Sequence, residues 1–332
     1  DLDRFSEVWG VSLATDAIAD TQTALSIEGG SLSYFSGSPN DGGRLLMVSS
    51  IPVTSIGDLV EKYEAILLDA YGVLIDGQGA LAGAPEMIAA LNTQKFPYWV
   101  VTNDASRLPS SASKRYGALG LNIDKERIIT AGSLLSGHFS QNGWQGKPCL
   151  VIGPPDSAAY VRNAGGEVID WEDKDQSRAE ALIIGDEGGY DFIPRVNLAL
   201  SAVFARLDTG ADMHFVLPNP DLIYPAAPGR FGFTAGSIAL WFEAALAHRY
   251  PDRPPITFER LGKPYAAIYK NAVDRAGTSN VVMVGDQIET DIRGARAIGL
   301  DAALVTFGLT RKDIDRLSDD RRPTYLLHDW SI

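Results

Sequence analysis

The chain is poor in cysteine. Cys149 is the only one in 332 residues, so no disulfide can form within it. A lone thiol suits a reducing compartment, and the cytoplasm is the expected setting. Long apolar runs are lacking too. A membrane helix needs about 18 consecutive apolar residues, whereas runs such as Ala181 to Ile184 have only strand length. Neither a membrane partner nor a signal peptide is expected. Positive charge is in deficit: 29 Lys and Arg stand against 42 Asp and Glu, a net charge of −13 with a pI near 4.7. That excludes the basic face a nucleic-acid partner requires. It also excludes long-range steering of anions, so a phosphorylated substrate must be held by local cations. Histidine is scarce, and His138, His214, His248 and His328 have no metal-ligand spacing. They read as ordinary core or surface residues.

What is present is a globular composition, 45% hydrophobic and 21% charged. The length suits roughly two domains of about 150 residues, enough to bury a core without covalent help. Residues 1–57 stand apart, rich in Ser, Gly and Asp. There, TALSIEGGSLSYF reads as two strands around Glu28-Gly29-Gly30 and RLLMVSSIPV as a third, a small β-rich extension or a lid. From Ile56 onward strands and helices alternate. IGDLVEKY reads as a short helix, EAILLDAYGVL carries a buried strand, APEMIAALNTQ is helical and PYWVVTND is a second buried strand. A helix ending at Gly120, the strand RIIT and a helix over 131–140 follow. PCLVIG then opens a second α/β stretch that includes GEVID, EALIIGDEG, a helix around 197–207, MHFVLPNPD and a helix over 236–248. The first pattern resumes with YAAIYKNAVDRAG, VVMVGD, TDIRGARAIG and a last strand, AALVTFG. The expected fold is α/β, a Rossmann-like doubly wound parallel sheet over residues 58–147 and 250–332, with an α/β domain inserted at 148–249.

In such sheets ligands sit at the carboxyl ends of the strands. Three strand ends stand out: Asp69, Thr102-Asn103 and Asp286. An Asp after a strand is ordinarily a turn or a helix cap. Two of them at one sheet edge, with Asp291 beside them, would repel one another. A hard cation answers that repulsion, and an all-oxygen site favours Mg²⁺. Lys263, between Gly262 and Pro264, reads as a positioned cation. Thr102 and Asn103 can donate hydrogen bonds to phosphate oxygens. Together these groups suit a carboxylate nucleophile attacking phosphorus, with a metal and a lysine offsetting charge on the transferring group.

The same residues resemble the haloacid dehalogenase superfamily. LLDAYGVLIDG resembles its first motif, VVTND its second, GKP its third and VGDQIETDIRGA its fourth, in order over roughly residues 60–310. The insert between Thr102 and Lys263 resembles the cap of the class IIA branch, which includes sugar-phosphate, p-nitrophenyl phosphate and pyridoxal-phosphate phosphatases. LPNPDLIYP, followed by Gly236-Ser237 and a helix, resembles the returning end of that cap. The resemblance implies a magnesium-dependent hydrolase acting on a small phosphorylated metabolite through an aspartyl-phosphate. Asp69 would be the nucleophile, and Thr102, Asn103 and Lys263 would bind phosphate. Asp69, Asp286, Asp291 and the Tyr71 carbonyl would hold Mg²⁺. Asn219 and Asp221, near the expected hinge, are candidate substrate contacts.

Tyr71 departs from that pattern. Phosphatases of the family carry an Asp there as acid and base. A phenol with a pKa near 10 is a poor base at neutral pH, and losing acid–base help costs about 10²–10⁴ in rate. Asp76, Asp104 and Asp221 are candidates to take over. A slow phosphatase and a non-catalytic phosphometabolite-binding or regulatory protein both fit. Tyr at this place also resembles the 2-haloacid dehalogenases, whose cap precedes the second motif. Here about 20 residues separate Gly77 from Pro97, too few for that cap. DEGGYDF reads as a turn that can approach the substrate. Trp241 and Phe242 on an Ala-rich helix suit a core or an interface, with which a homodimer is compatible.

Overall fold

A computed structural model describes residues 22–28, 31–37, 48–49, 51–227, 229–306, 314 and 317–332. The chain divides into two compact units, residues 1–52 and 53–332. In the first, β1 (Gln22–Glu28), β2 (Ser31–Gly37) and β3 (Val48–Ser49) form an antiparallel sheet in that order. Glu28 pairs with Ser31, the register of the hairpin expected at Gly29-Gly30. Of the third expected strand, residues 44–47 and 50 lie outside the described residues.

The second unit starts with β4 (Val53–Thr54) and α1 (Ile56–Lys62). A capping box begins α1: Ser55 Oγ accepts from the Asp58 N–H at 3.1 Å, and the Asp58 carboxylate accepts from the Ser55 N–H at 2.9 Å. Then come β5 (Ala65–Leu68), α2 (Ala84–Thr93), β6 (Tyr98–Thr102), α3 (Pro109–Ala118), β7 (Ile128–Thr130) and α4 (Leu134–Asn142). Next are β8 (Pro148–Ile152), α5 (Pro155–Asn163), β9 (Glu167–Val168), β10 (Ala181–Ile184), α6 (Phe192–Asp208) and β11 (His214–Leu217). The hairpin β12 (Ile223–Ala227) and β13 (Arg230–Phe233), α7 (Ala235–Arg249) and β14 (Glu259–Arg260) lead back. The unit ends with α8 (Ala266–Ala276), β15 (Val281–Gly285), α9 (Arg293–Ala297), β16 (Asp301–Val305) and β17 (Tyr325–Leu327).

Seven of these strands make one parallel sheet in the order β4-β17-β16-β15-β5-β6-β7. Every residue of β5 and β15 is buried, as a continuous apolar run covered on both faces requires. The chain runs outward from β5 to β6 and β7, then returns to β15 on the other side of β5. The crevice between β5 and β15 is therefore the switch point where ligands of such sheets bind. A second parallel sheet, β14-β11-β10-β8-β9, has its own core, in which Leu182, Ile184 and Phe215 meet Ala199, Val203 and Phe242.

Several elements differ from expectation. AALVTFG is not the last strand, because β17 follows it and pairs with both β16 and β4. Residues 53–57, read with the extension, belong to the second unit, in which β4 is the sheet's edge. TDIRGARAIG is not one helix: a π-turn over Ile288–Ile292 precedes α9. The antiparallel β12–β13 hairpin was not anticipated. On α7, Phe242 is buried and Trp241 is 44% exposed. No helix among the described residues is long and apolar enough to cross a membrane.

Candidate active site

Asp69 is the first residue beyond β5. Its N–H donates to the Val284 carbonyl of β15 at 2.9 Å, which ties it to the neighbouring strand at the crevice. Its Oδ1 accepts from the Ala70 N–H at 2.7 Å and lies 2.6 Å from Lys263 Nζ. The same ammonium lies 2.7 Å from Asp291 Oδ1, and Asp291 Oδ2 accepts from the Gln287 N–H at 3.1 Å. Asp69, Lys263 and Asp291 are all buried. Two glycines make room for the acids. Gly72 has φ +88°, and a Cβ there would collide with the Asp286 carboxylate; one on Gly285 would collide with Asp291.

Lys263 is placed by its backbone. The Leu261 N–H donates to the Leu217 carbonyl at 3.1 Å and the Gly262 N–H to the Pro218 carbonyl at 3.0 Å, so the lysine continues the β14–β11 pairing. A Cβ on Gly262 would lie 2.5 Å from Asn103 Oδ1 and 2.6 Å from the Pro218 carbonyl, which explains the Gly in LGKPY. Asn103 locks this segment. Its Oδ1 accepts from the Lys263 N–H at 2.6 Å, and its Nδ2 donates to the Lys263 carbonyl at 3.0 Å and to Asp221 Oδ1 at 2.8 Å. Both amide protons are engaged, so the expected hydrogen bond from this side chain to a phosphate is replaced by a positioning role. Thr102 is buried at the same strand end, with its Oγ1 accepting from the Asp104 N–H at 3.3 Å.

The electrostatics show a shortage of positive charge. Burial, then Asp291 and Asp286, push the Asp69 carboxyl well above the usual range against the pull of Lys263. Burial and Asp291 push Asp286 up to about 7. Burial works against the Lys263 ammonium, but Asp291 and Asp69 outweigh it and hold it protonated. Ionised, three carboxylates and one ammonium leave two negative charges, which a dication would balance. Asp69, Asp286 and Asp291 each offer a carboxylate oxygen within 4.8 Å of the others, and the buried Asp286 Oδ1 has no hydrogen-bond partner. Oxygen donors around an orphaned buried carboxylate oxygen fit a hard divalent cation.

A cavity of about 370 Å³ opens from this cluster. Tyr71, Tyr116 and Tyr224 line it, as do the cations Arg107 and Arg115. Asp186 and Glu187, from DEGGYDF, also reach it. Asp186 is a turn residue as well, with Oδ1 accepting from the Gly188 N–H at 2.9 Å. Burial and Glu187 push its carboxyl up to about 6. Asn219 and Asp221 both line the cavity. The Asn219 amide, however, is engaged in the turn: it accepts from the Asp221 N–H at 3.0 Å and donates to Thr234 Oγ1 at 3.2 Å. Burial raises the Asp221 pKa while Lys263 lowers it. Asp76 and Asp104 cap turns, accepting from the Gln78 and Ser106 N–H groups at 2.7 Å each. The Tyr71 hydroxyl donates to the Pro225 carbonyl of β12 at 3.1 Å. Tyr116, Arg115 and Tyr224 had no signal in the sequence beyond a helical or strand position.

Two family models match the chain. One, described as haloacid dehalogenase-like hydrolase, covers residues 66–167. The other, described as HAD-hydrolase-like, covers 260–331. The chain belongs to the haloacid dehalogenase superfamily. Its relatives place it in the class IIA-like branch. Dihydroxyacetone phosphatase of Corynebacterium glutamicum is 26% identical over 79% of this chain and 87% of that protein. A possible sugar phosphatase of the HAD superfamily from Cytophaga hutchinsonii superposes with TM-score 0.70 at 28% identity, covering 84% of this chain and 98% of that one. Glycerol phosphate phosphatase of Mycobacterium tuberculosis, solved in complex with magnesium, gives TM-score 0.66 at 25% identity over 82% of this chain and 77% of that one. Within this superfamily member the matched segments contain Asp69 and Thr102 on one side, and Lys263, Asp286 and Asp291 on the other.

Proposed function

We propose that this chain is a magnesium-dependent phosphatase acting on a small phosphate ester, of the sugar-phosphate or aryl-phosphate class, through an aspartyl-phosphate on Asp69. The observation that carries the reading is Lys263 Nζ held between Asp69 and Asp291 at 2.6 and 2.7 Å, beside the unpartnered Asp286 oxygen. Asp69, Asp286 and Asp291 would hold Mg²⁺, which would offset charge on the phosphoryl oxygens. With its ammonium against Asp69, Lys263 sits where a transferring phosphoryl group gathers charge, and Thr102 would hold an equatorial oxygen. The insert would act as a cap. The phosphatase names of the relatives support the substrate class.

Hydrolysis would be slow. The Tyr71 hydroxyl donates to Pro225 and its pKa is raised by burial, so the phenol is a weak acid and a weaker base. The test is p-nitrophenyl phosphate turnover with and without Mg²⁺, followed into the pre-steady state, because nitrophenolate leaves without a proton. Magnesium-dependent release that Asp69→Asn abolishes is expected, with a burst ahead of a slower steady rate. Activity in Asp69→Asn equal to the parent would overturn the assignment. Tyr71 also favours a second reading, a binding or regulatory protein without turnover. A large rise in rate in Tyr71→Asp, from a parent with no release, would select that reading.

A further inference from the structure

The residues of α7 exposed to solvent between 235 and 247 are Leu240, Trp241, Ala244 and Ala247. They fall on one stripe at helical spacing, and none is charged. A helix face open to water is ordinarily polar. Glu243 is the one charged residue of this stretch, and it pairs with Arg260 of β14 at 3.0 Å. Beside the stripe lies the β12–β13 hairpin. Phe231 and Phe233 stand two apart on β13 and so share a face of it. The Phe233 ring packs edge-on against Trp241, 6.3 Å between centroids. Phe231 is 70% exposed, Phe233 62%, Trp241 44% and Leu240 43%. At about 150–250 Å² for a large apolar side chain, these four present on the order of 450 Å². A standard interface takes about 800 Å² from each partner, rather more than half of it apolar. The face therefore carries the apolar area that one side of such an interface needs.

We propose that two copies of this chain pair about a two-fold axis through this face of α7 and β13. Charge selects the occupant. The chain carries a net charge of −13, and a basic partner drawn by it would dock on carboxylates, of which the stripe and the two phenylalanines offer none. Two acidic chains repel one another, and they meet at least electrostatic cost through a face without charge. The relief of the face is also self-complementary. Large Phe and Trp rings lie beside the small Ala244 and Ala247, so across a two-fold axis the rings of each copy have hollows on the other to fill. Tyr224 and Pro225, on the hairpin's other strand, line the catalytic cavity. Within one copy the hairpin has little burial, and pairing would add it on the outer side of that cavity wall. The proposal does not depend on the phosphatase reading, because it is measured as mass.

Sedimentation of the full chain over a range of concentrations and at two salt concentrations tests it. The expected mass at tens of micromolar is twice 35.7 kDa. Phe231→Asp and Ala244→Asp place a carboxylate at exposed positions on two separate elements. Each is expected to weaken pairing about tenfold or more, since a carboxylate in an apolar interface has no partner. Salt is expected to tighten pairing, because it screens the repulsion between the two acidic copies. Amide exchange of the parent needs no variant: residues 231–247 are expected to exchange faster on dilution into the monomer. A parent that stays monomeric would overturn the proposal. Protection of residues 231–247 in that monomer would give the face to another segment of the chain. A dimer that both variants leave intact would overturn it too, as would a dimer that salt dissociates.

Discussion

At the scale of single residues, the site depends on where buried charge is satisfied and where it is not. Lys263 satisfies one oxygen each of Asp69 and Asp291, and Asp286 is left short. Asp186 is the comparable case outside that cluster, with its carboxyl pushed up to about 6, chiefly by burial. The fold favours its neutral form. Between the unfolded value near 4 and about 6, the native state holds more protons than the unfolded chain, so this group lowers stability as pH rises through that window. Above it the penalty is constant. Asn keeps the oxygen that accepts from Gly188 and carries no charge. Asp186→Asn is therefore expected to stabilise the protein at pH 7.5 by about 1–3 kcal/mol and by about a third as much at pH 4.5. Urea denaturation at both pH values checks this, and an equal gain at both would refute the cause given.

At the scale of elements, what could be read in advance followed the range of the interactions involved. EAILLDAYG and VVMVGD were legible because a buried parallel strand needs a continuous apolar run and ends in a polar residue at the ligand edge. β4 and β17 were not, since strands of two or three residues carry no period and exist through pairing, β17 with β16 and β4 with β17. Asn103 was placed correctly at a strand end, but its partners Lys263 and Asp221 lie 160 and 118 residues away. No local pattern announces them. Tyr71 was visible as a departure, while the direction of its side chain depends on the β12–β13 hairpin, which was not foreseen. That hairpin exposes Ile223, Phe231 and Phe233, so little burial holds it, and the Tyr71–Pro225 hydrogen bond tethers it to the loop after β5. Tyr71→Phe should loosen it. The expected result is faster amide exchange across residues 223–233, with global stability changed by no more than about 1 kcal/mol because the bond is exposed. Unchanged exchange there would show that the tether does not hold the hairpin.

At the scale of the whole molecule, the net charge of −13 works against the proposed substrate. A phosphate monoester approaches as a dianion, and the mean field of the protein repels it until local cations take over. Those cations are few: Lys263 is shielded by two carboxylates, and Arg107 lies 3.2 Å from Asp104 Oδ2. Arg115, exposed at the cavity, makes no ion pair among the described residues. Salt shortens the reach of the repulsive field, from a Debye length of about 30 Å at 0.01 M to about 8 Å at 0.15 M. Contacts inside the buried cluster are screened far less. An enzyme that steers its substrate loses kcat/KM as salt rises, and this one should show the opposite sign. With Mg²⁺ saturating throughout, so that weaker metal binding does not enter, kcat/KM for p-nitrophenyl phosphate is expected to rise about two- to fivefold between 0.01 and 0.15 M NaCl. The rise should grow in Arg115→Gln, where no unpaired cation opposes the field at the cavity mouth and the low-salt rate falls. A fall with salt in the parent would mean that the positive groups at the cavity govern approach despite the acidity of the rest of the molecule.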